Sequence, residues 1–301
     1  MNKYVIAALL IFVVLISGCS GIKSGQTKEQ AAAAAQTIHT GFKGVSLEFV
    51  RNNPPDVTFT GSPLDVVVEL KNEGASEATG TLYLSGFDPR LFNIQPQYQE
   101  FSLEARSPFN TFGGYDTVTF NAPNIFLPQG TDTLTQNFLA SACYQYRTEA
   151  RVPVCIDPNP NSVLENEACR VQNPAVGAGQ GGPVGITAIQ EEAAPGRVNF
   201  VMTIANQGDG QVVATSSIGK CPSPLNFNDV DTVQYAVRLS GIAGDCKPIN
   251  SVRLSNKQGT LYCTFQLSDD SATAYTALLE VNLDYGYLSQ KSKQIRIRNL
   301  G

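Results

Sequence analysis

The chain has 301 residues, of which 42% are apolar and 16% charged, and a net charge of −5; that is enough for a packed core in two domains of roughly 100–150 residues each. The charges form no acidic or basic blocks. A nucleic-acid partner is therefore excluded, because polyanion binding needs clustered Lys and Arg to displace counterions.

The first 18 residues read as an export signal, with Lys3 as a short positive start and an apolar run from Val5 to Ile16. That run is shorter than the roughly 20 residues a membrane span requires. Ile16-Ser17-Gly18-Cys19 resembles the lipobox of bacterial and some archaeal lipoproteins, in which an aliphatic and two small residues precede a cysteine that is lipidated and becomes the mature N-terminus. The resemblance implies an anchor at Cys19 on the extracytoplasmic face of a membrane; the alternative is an ordinary signal peptide with a chance cysteine. Residues 19–43 are polar, carry the alanine run Ala31 to Ala35 and lack an amphipathic stripe, so they read as a tether, spanning about 25–30 Å if flexible.

From residue 44 onward the sequence repeats itself in three ordered blocks. Leu64 to Gly74 (LDVVVELKNEG) matches Val198 to Gly208 (VNFVMTIANQG), each an alternating strand ending in Asn-x-Gly. Leu82 to Phe87 (LYLSGF) matches Val237 to Ile242 (VRLSGI), and Tyr144 to Ile156 matches Tyr285 to Ile297 with a shared Tyr-x-Tyr. The fold class expected is all-β: two tandem sandwiches at residues 44–157 and 184–301, joined by a linker at 158–183 rich in Pro, Asn and Gly. The second copy carries an insertion with Cys221, Pro222 and Pro224.

With V-x-V-x-x-x-N-x-G in the first Asn-Gly block and Phe200 and Met202 at the Val positions of the second, the strand pattern resembles the immunoglobulin-like CARDB domains of prokaryotic surface proteins. The resemblance implies seven-stranded sandwiches and an adhesive or structural surface role. It supplies no catalytic residues.

Seven cysteines less a lipidated Cys19 leave Cys143, Cys155, Cys169, Cys221, Cys246 and Cys263, which are expected to form disulfides in an exported chain. With a hairpin centred near Glu149, Cys143 faces Cys155 across two strands; Cys246 then suits Cys263, leaving Cys169 for Cys221. Fifteen pairings are possible in principle. With Cys143 and Cys155 before the linker, Cys169 within it and three cysteines after it, full pairing requires at least one bond from the second half to the chain before it.

Chemistry is sparse. The one histidine, His39, lies in the tether, so the folded part offers no Ser-His-Asp or Cys-His arrangement. Asp229 with Asp231, and Asp269 with Asp270, are the visible carboxylate pairs; they read as turn residues, with acid-base work on a sugar as the alternative. Asp157 to Asn161 imitates the start of a calcium loop, but Ser162 and Ala168 stand where Gly and Glu are needed. No metal or cofactor is expected. The candidate binding surface lies in residues 87–126, where Phe92, Tyr98 and Tyr115 would be exposed and roughly coplanar for stacking on a glycan or a protein; the competing reading buries these rings in the core. A non-enzymatic surface lipoprotein facing an envelope protein is the leading expectation, a glycan-binding module the second and a carboxylate enzyme the third.

Overall fold

The computed structural model describes residues 38–161, 168–267 and 273–299, all within one compact unit. The first half contains β1 (Val45–Phe49), β2 (Val57–Phe59), β3 (Leu64–Asn72), β4 (Ala78–Ser85), β5 (Tyr98–Leu103), β6 (Tyr115–Ala122) and β7 (Thr133–Ile156). The second contains β8 (Val184–Ala194), β9 (Arg197–Asn206), β10 (Gln211–Val213), β11 (Thr232–Leu239), β12 (Ile242–Ala243), β13 (Asp245–Lys247), β14 (Ser251–Arg253), β15 (Gln258–Gln266) and β16 (Tyr275–Arg298). The fold is all-β, as its alternating apolar pattern requires: every second residue of β3 is buried, placing Leu64, Val66, Val68 and Leu70 on one face.

The two halves share one sheet. β7 and β16 are each 24 residues long and pair antiparallel along their whole length, at the centre of a nine-stranded sheet ordered β12-β11-β16-β7-β4-β5, with β10, β14 and β2 attached at its sides. Two smaller sheets, β1-β3-β6 and β13-β15-β9-β8, cover the same face of it, sandwich fashion. That face of β7 is buried from Phe138 through Tyr144, Val152 and Ile156, and one continuous core runs under both small sheets. Strand sharing replaces the expected pair of separate sandwiches on a linker. The repeated blocks nonetheless occupy matching places: β3 and β9 in the small sheets, β4 and β11 beside the long strands, and the Tyr-x-Tyr blocks in the long strands themselves.

At the seam the long pairing brings Tyr144 opposite Tyr287 and Tyr146 opposite Tyr285, with ring centroids 5.8 and 6.2 Å apart. Each copy of the Asn-x-Gly turn is held by this quartet in the same way. The Asn72 side chain accepts from the Gly74 amide and Asn206 from the Gly208 amide, both at 3.1 Å. The Ser76 amide donates to the Tyr146 hydroxyl, and the Gly210 amide to that of Tyr287. The remaining hydroxyls satisfy the starts of β1 and β8, Tyr144 accepting from the Val45 amide and Tyr285 from the Val184 amide. Burial pushes the Tyr144 phenol up to about 12, so the quartet stays neutral and donates or accepts without charge. A sequence repeat thus becomes an approximate two-fold relation between halves.

Glycine at the turn is a packing requirement. A Cβ on Gly74 would lie 1.8 Å from the Tyr146 hydroxyl and 2.6 Å from the carbonyls of Lys43 and Gly181. Gly74→Ala is expected to cost about 1–3 kcal/mol, and Tyr146→Phe should not rescue it because two backbone oxygens remain. Urea unfolding of the single and double variants checks this.

Segments 38–43 and 176–183, expected in the tether and the linker, are built into the seam. Gly41 bridges Gly179, the Gly181 carbonyl accepts from the Ala75 amide and the Tyr146 hydroxyl, and the Gln180 side chain bonds both main-chain groups of Ile186.

The disulfides are Cys143–Cys221, Cys155–Cys169 and Cys246–Cys263. The last is the expected pair, directly opposed between β13 and β15. The expected Cys143–Cys155 and Cys169–Cys221 bonds are corrected by the geometry of β7. No hairpin turns at Glu149; the strand runs straight on, so 12 residues place Cys143 and Cys155 about 40 Å apart. Cys143–Cys221 joins the two halves, across 78 residues of sequence.

Candidate functional site

The reverse face of the large sheet carries a broad concavity. Its floor is β4 and β7, with Thr79, Thr81, Tyr83 and Gln145 pointing away from the core because their strand neighbours Leu82, Leu84, Tyr144 and Tyr146 point into it. One wall is β5, through Glu100 and Ser102, and the other is the 3-10 helix Thr215–Lys220, through Ile218 and Gly219. The cleft encloses about 630 Å³. Cys143–Cys221 clamps the helical wall to the floor, over a small apolar cluster of Cys143, Val213, Cys221 and Leu288 with Tyr83, Ile218 and Leu225 packed against it. The Tyr83 ring lies 6.2 Å from that of Tyr98. β5 ends the sheet, so its outer main-chain groups stand free for a further strand.

The helical wall is braced by a carboxylate. Asp229 accepts from the Ser217 hydroxyl at 2.7 Å, the Lys220 ammonium at 2.6 Å and the Asn226 amide at 3.0 Å, and the Lys220 bond foremost holds its pKa well below the usual carboxylate range. With its oxygens so engaged, Asp229 ties the insertion together. Asp231 adopts a left-handed φ of 55° in the next turn, and burial raises its pKa. Asp269 and Asp270 lie outside the described residues, as does Cys19. Among the described residues, no group of three or more His, Cys, Asp and Glu could hold a metal ion, and no helix is long and apolar enough to cross a membrane.

The aromatic surface expected from residues 87–126 is divided between core and solvent. Asp88 caps the short helix Pro89–Phe92, whose turn drives Phe92 inward against Phe87 and Phe138, with centroids 5.6 and 5.1 Å away; Phe92 is fully buried and is removed from the proposed surface. Tyr98 and Tyr115 are exposed but do not form one platform. Gly114 bonds Glu104 just past the end of β5, which leaves Tyr98 at the other end of that strand, about 17 Å along it. The most exposed rings, Phe109 and Phe112, were not singled out by the sequence from their buried neighbours.

No family model and no curated protein matches the chain. The CARDB-like reading therefore rests on the strand and turn pattern of the repeated blocks alone.

Proposed function

We propose that this chain is a non-catalytic, lipid-anchored surface module that holds an envelope protein against the cleft bounded by β4, β5, β7 and the Thr215–Lys220 helix. The observation that carries the reading is the cysteine inventory: the three disulfides use all six cysteines after residue 19, and the seventh is Cys19 in its lipobox-like setting. Disulfides of this number suit an oxidising, extracytoplasmic compartment. The perturbed groups described above have structural tasks, with the tyrosines closing the seam and Asp229 bracing the cleft wall. A concavity beside an open sheet edge suits a partner that adds a strand along β5 and seats side chains on Tyr83 and Tyr98.

Mass spectrometry of the mature N-terminus from native membranes tests the anchor. A lipid-modified Cys19 as the first residue is expected, and Cys19→Ser should abolish the lipid mass; an unmodified Cys19 would overturn the anchor. Photo-crosslinking from Thr81 and Glu100, which face each other across β4 and β5 on the cleft side, should capture the same envelope protein, whereas crosslinks to many unrelated proteins would count against a specific cleft partner.

A glycan ligand is the second reading, favoured by the hydroxyl- and amide-lined floor next to the Tyr83–Tyr98 pair. Tyr98→Ala should then weaken glycan binding by about tenfold, consistent with one lost stacking contact, as read by calorimetry.

A further inference from the structure

We propose that the loop between β5 and β6 is a second membrane contact, which places Phe109 and Phe112 in the lipid interface beside the point where the tether enters the fold; this rests on the lipid anchor at Cys19. Phe109 is 97% and Phe112 76% exposed, the highest values among the large apolar side chains described. The loop is built to display them. Ser107 and Asn110 exchange main-chain hydrogen bonds, the Ser107 hydroxyl accepts from the Asn110 amide, and the Asn110 side chain bonds the Gly113 carbonyl. A tight turn with its polar groups satisfied internally leaves two rings facing outward, which in water is unfavourable and at a bilayer interface is not.

The lipid surface is selected over other occupants by where the chain enters. The Arg106 guanidinium, at the base of the loop, donates to the Ile38 carbonyl at 2.7 Å and the Thr40 carbonyl at 2.6 Å, strapping the first described residues to it. About 19 residues separate Ile38 from Cys19, which as coil or helix average about 25–30 Å. The seam where Ile38 sits lies midway along the long strands, whose ends are each about 40 Å away, so an anchor on a leash of about 25–30 Å favours the surface nearest Ile38 for the bilayer. Lys71 stands 5.9 Å over the Phe112 ring, and Lys43 lines the same small hollow with Arg106, Phe112 and Glu73, whose carboxylate pairs with both lysines at 3.1 and 3.7 Å. Long basic side chains around aromatic rings, two against one carboxylate, suit the headgroup layer, where their stems lie beside the rings in apolar surroundings.

The chain has no tryptophan, so Phe112→Trp introduces a single reporter. Phe126→Trp is the control: Phe126 is also exposed, but Ala122 pairs with Leu64 at one end of β3 while Tyr115 pairs with Lys71 at the other, placing the two reporters some 25 Å apart along the sheet. Both full-length, lipidated variants are reconstituted into phosphatidylcholine and phosphatidylglycerol vesicles containing brominated acyl chains. Expected are a blue shift and a loss of emission for Phe112→Trp, with neither for Phe126→Trp. Flotation of the chain with vesicles but no quenching at position 112 would overturn the loop contact and leave the anchor standing. A blue shift in native envelopes without quenching in the vesicles would also overturn it, assigning the rings to a protein partner. Failure of the unsubstituted chain to float would overturn the anchor and the contact together.

Discussion

Replacing Cys143 and Cys221 together by alanine is expected to destabilise the protein by about 4 kcal/mol, the largest effect of any disulfide removal. The bond spans 78 residues, against 14 for Cys155–Cys169 and 17 for Cys246–Cys263, and the loop-closure entropy taken from the unfolded chain grows with the logarithm of the span, giving about 3 kcal/mol for each short bond. Cys155–Cys169 lies inside the long span and shortens its effective loop, but only slightly on a logarithmic scale. At about 2–4 °C per kcal/mol for a unit of this size, the melting temperature should fall by roughly 10 °C. The same bond also holds one wall of the cleft. Partner capture from Thr81 should therefore weaken in this variant at temperatures where the fold survives, and should not weaken when Cys246 and Cys263 are replaced. Thermal unfolding of the three double variants gives the order, and equal losses for all three would sink the entropic account.

How much of this was legible in the sequence depends on the range over which each feature is determined. Alternation along β3 and β9 is local, and it placed Val66, Val68, Phe200 and Met202 on the buried face. The repeat was equally visible, because Asn-x-Gly and Tyr-x-Tyr are fixed by hydrogen bonds within each copy. What could not be read was the relation between copies. Whether Tyr144 meets a residue of its own half or Tyr287 is decided by pairing across more than 140 residues, and alternating strands carry no label for their partner. The same limit applies to β7: nothing local marks Thr148-Glu149-Ala150 as strand rather than turn, and because it continues the strand Cys143 and Cys155 never face each other. The cleft was hidden for the same reason, since its two walls come from opposite halves. Nor does sequence distinguish Phe92 from Phe109, one turned inward by a capped helical turn and the other outward by the Ser107–Asn110 turn. Fold class is thus a local property here and site geometry a global one.

Glu191→Gln should stabilise the protein at pH 8 by about 2–3 kcal/mol and leave it unchanged at pH 4. Glu191 sits on β8 with 9% of its surface exposed, and neither carboxylate oxygen has a hydrogen-bond partner among the described residues. Burial raises its pKa from 4.5 to about 7; the Cys155 main chain lies near enough to oppose the shift in part but not in hydrogen-bonding geometry. The folded state therefore holds one proton more than the unfolded state between those two values. By linkage, stability is undiminished below about pH 4.5, falls as the pH climbs toward 7, and above that carries the full cost of a buried charge. Glutamine has the same shape and no charge at any of these pH values, so the variant should lose the slope and gain only where the carboxylate is ionised. Urea unfolding of both proteins at pH 4, 6 and 8 reads the difference directly. A gain independent of pH would mean that packing rather than ionisation distinguishes the two side chains, and a loss at pH 8 would mean that the carboxylate finds a favourable partner when charged.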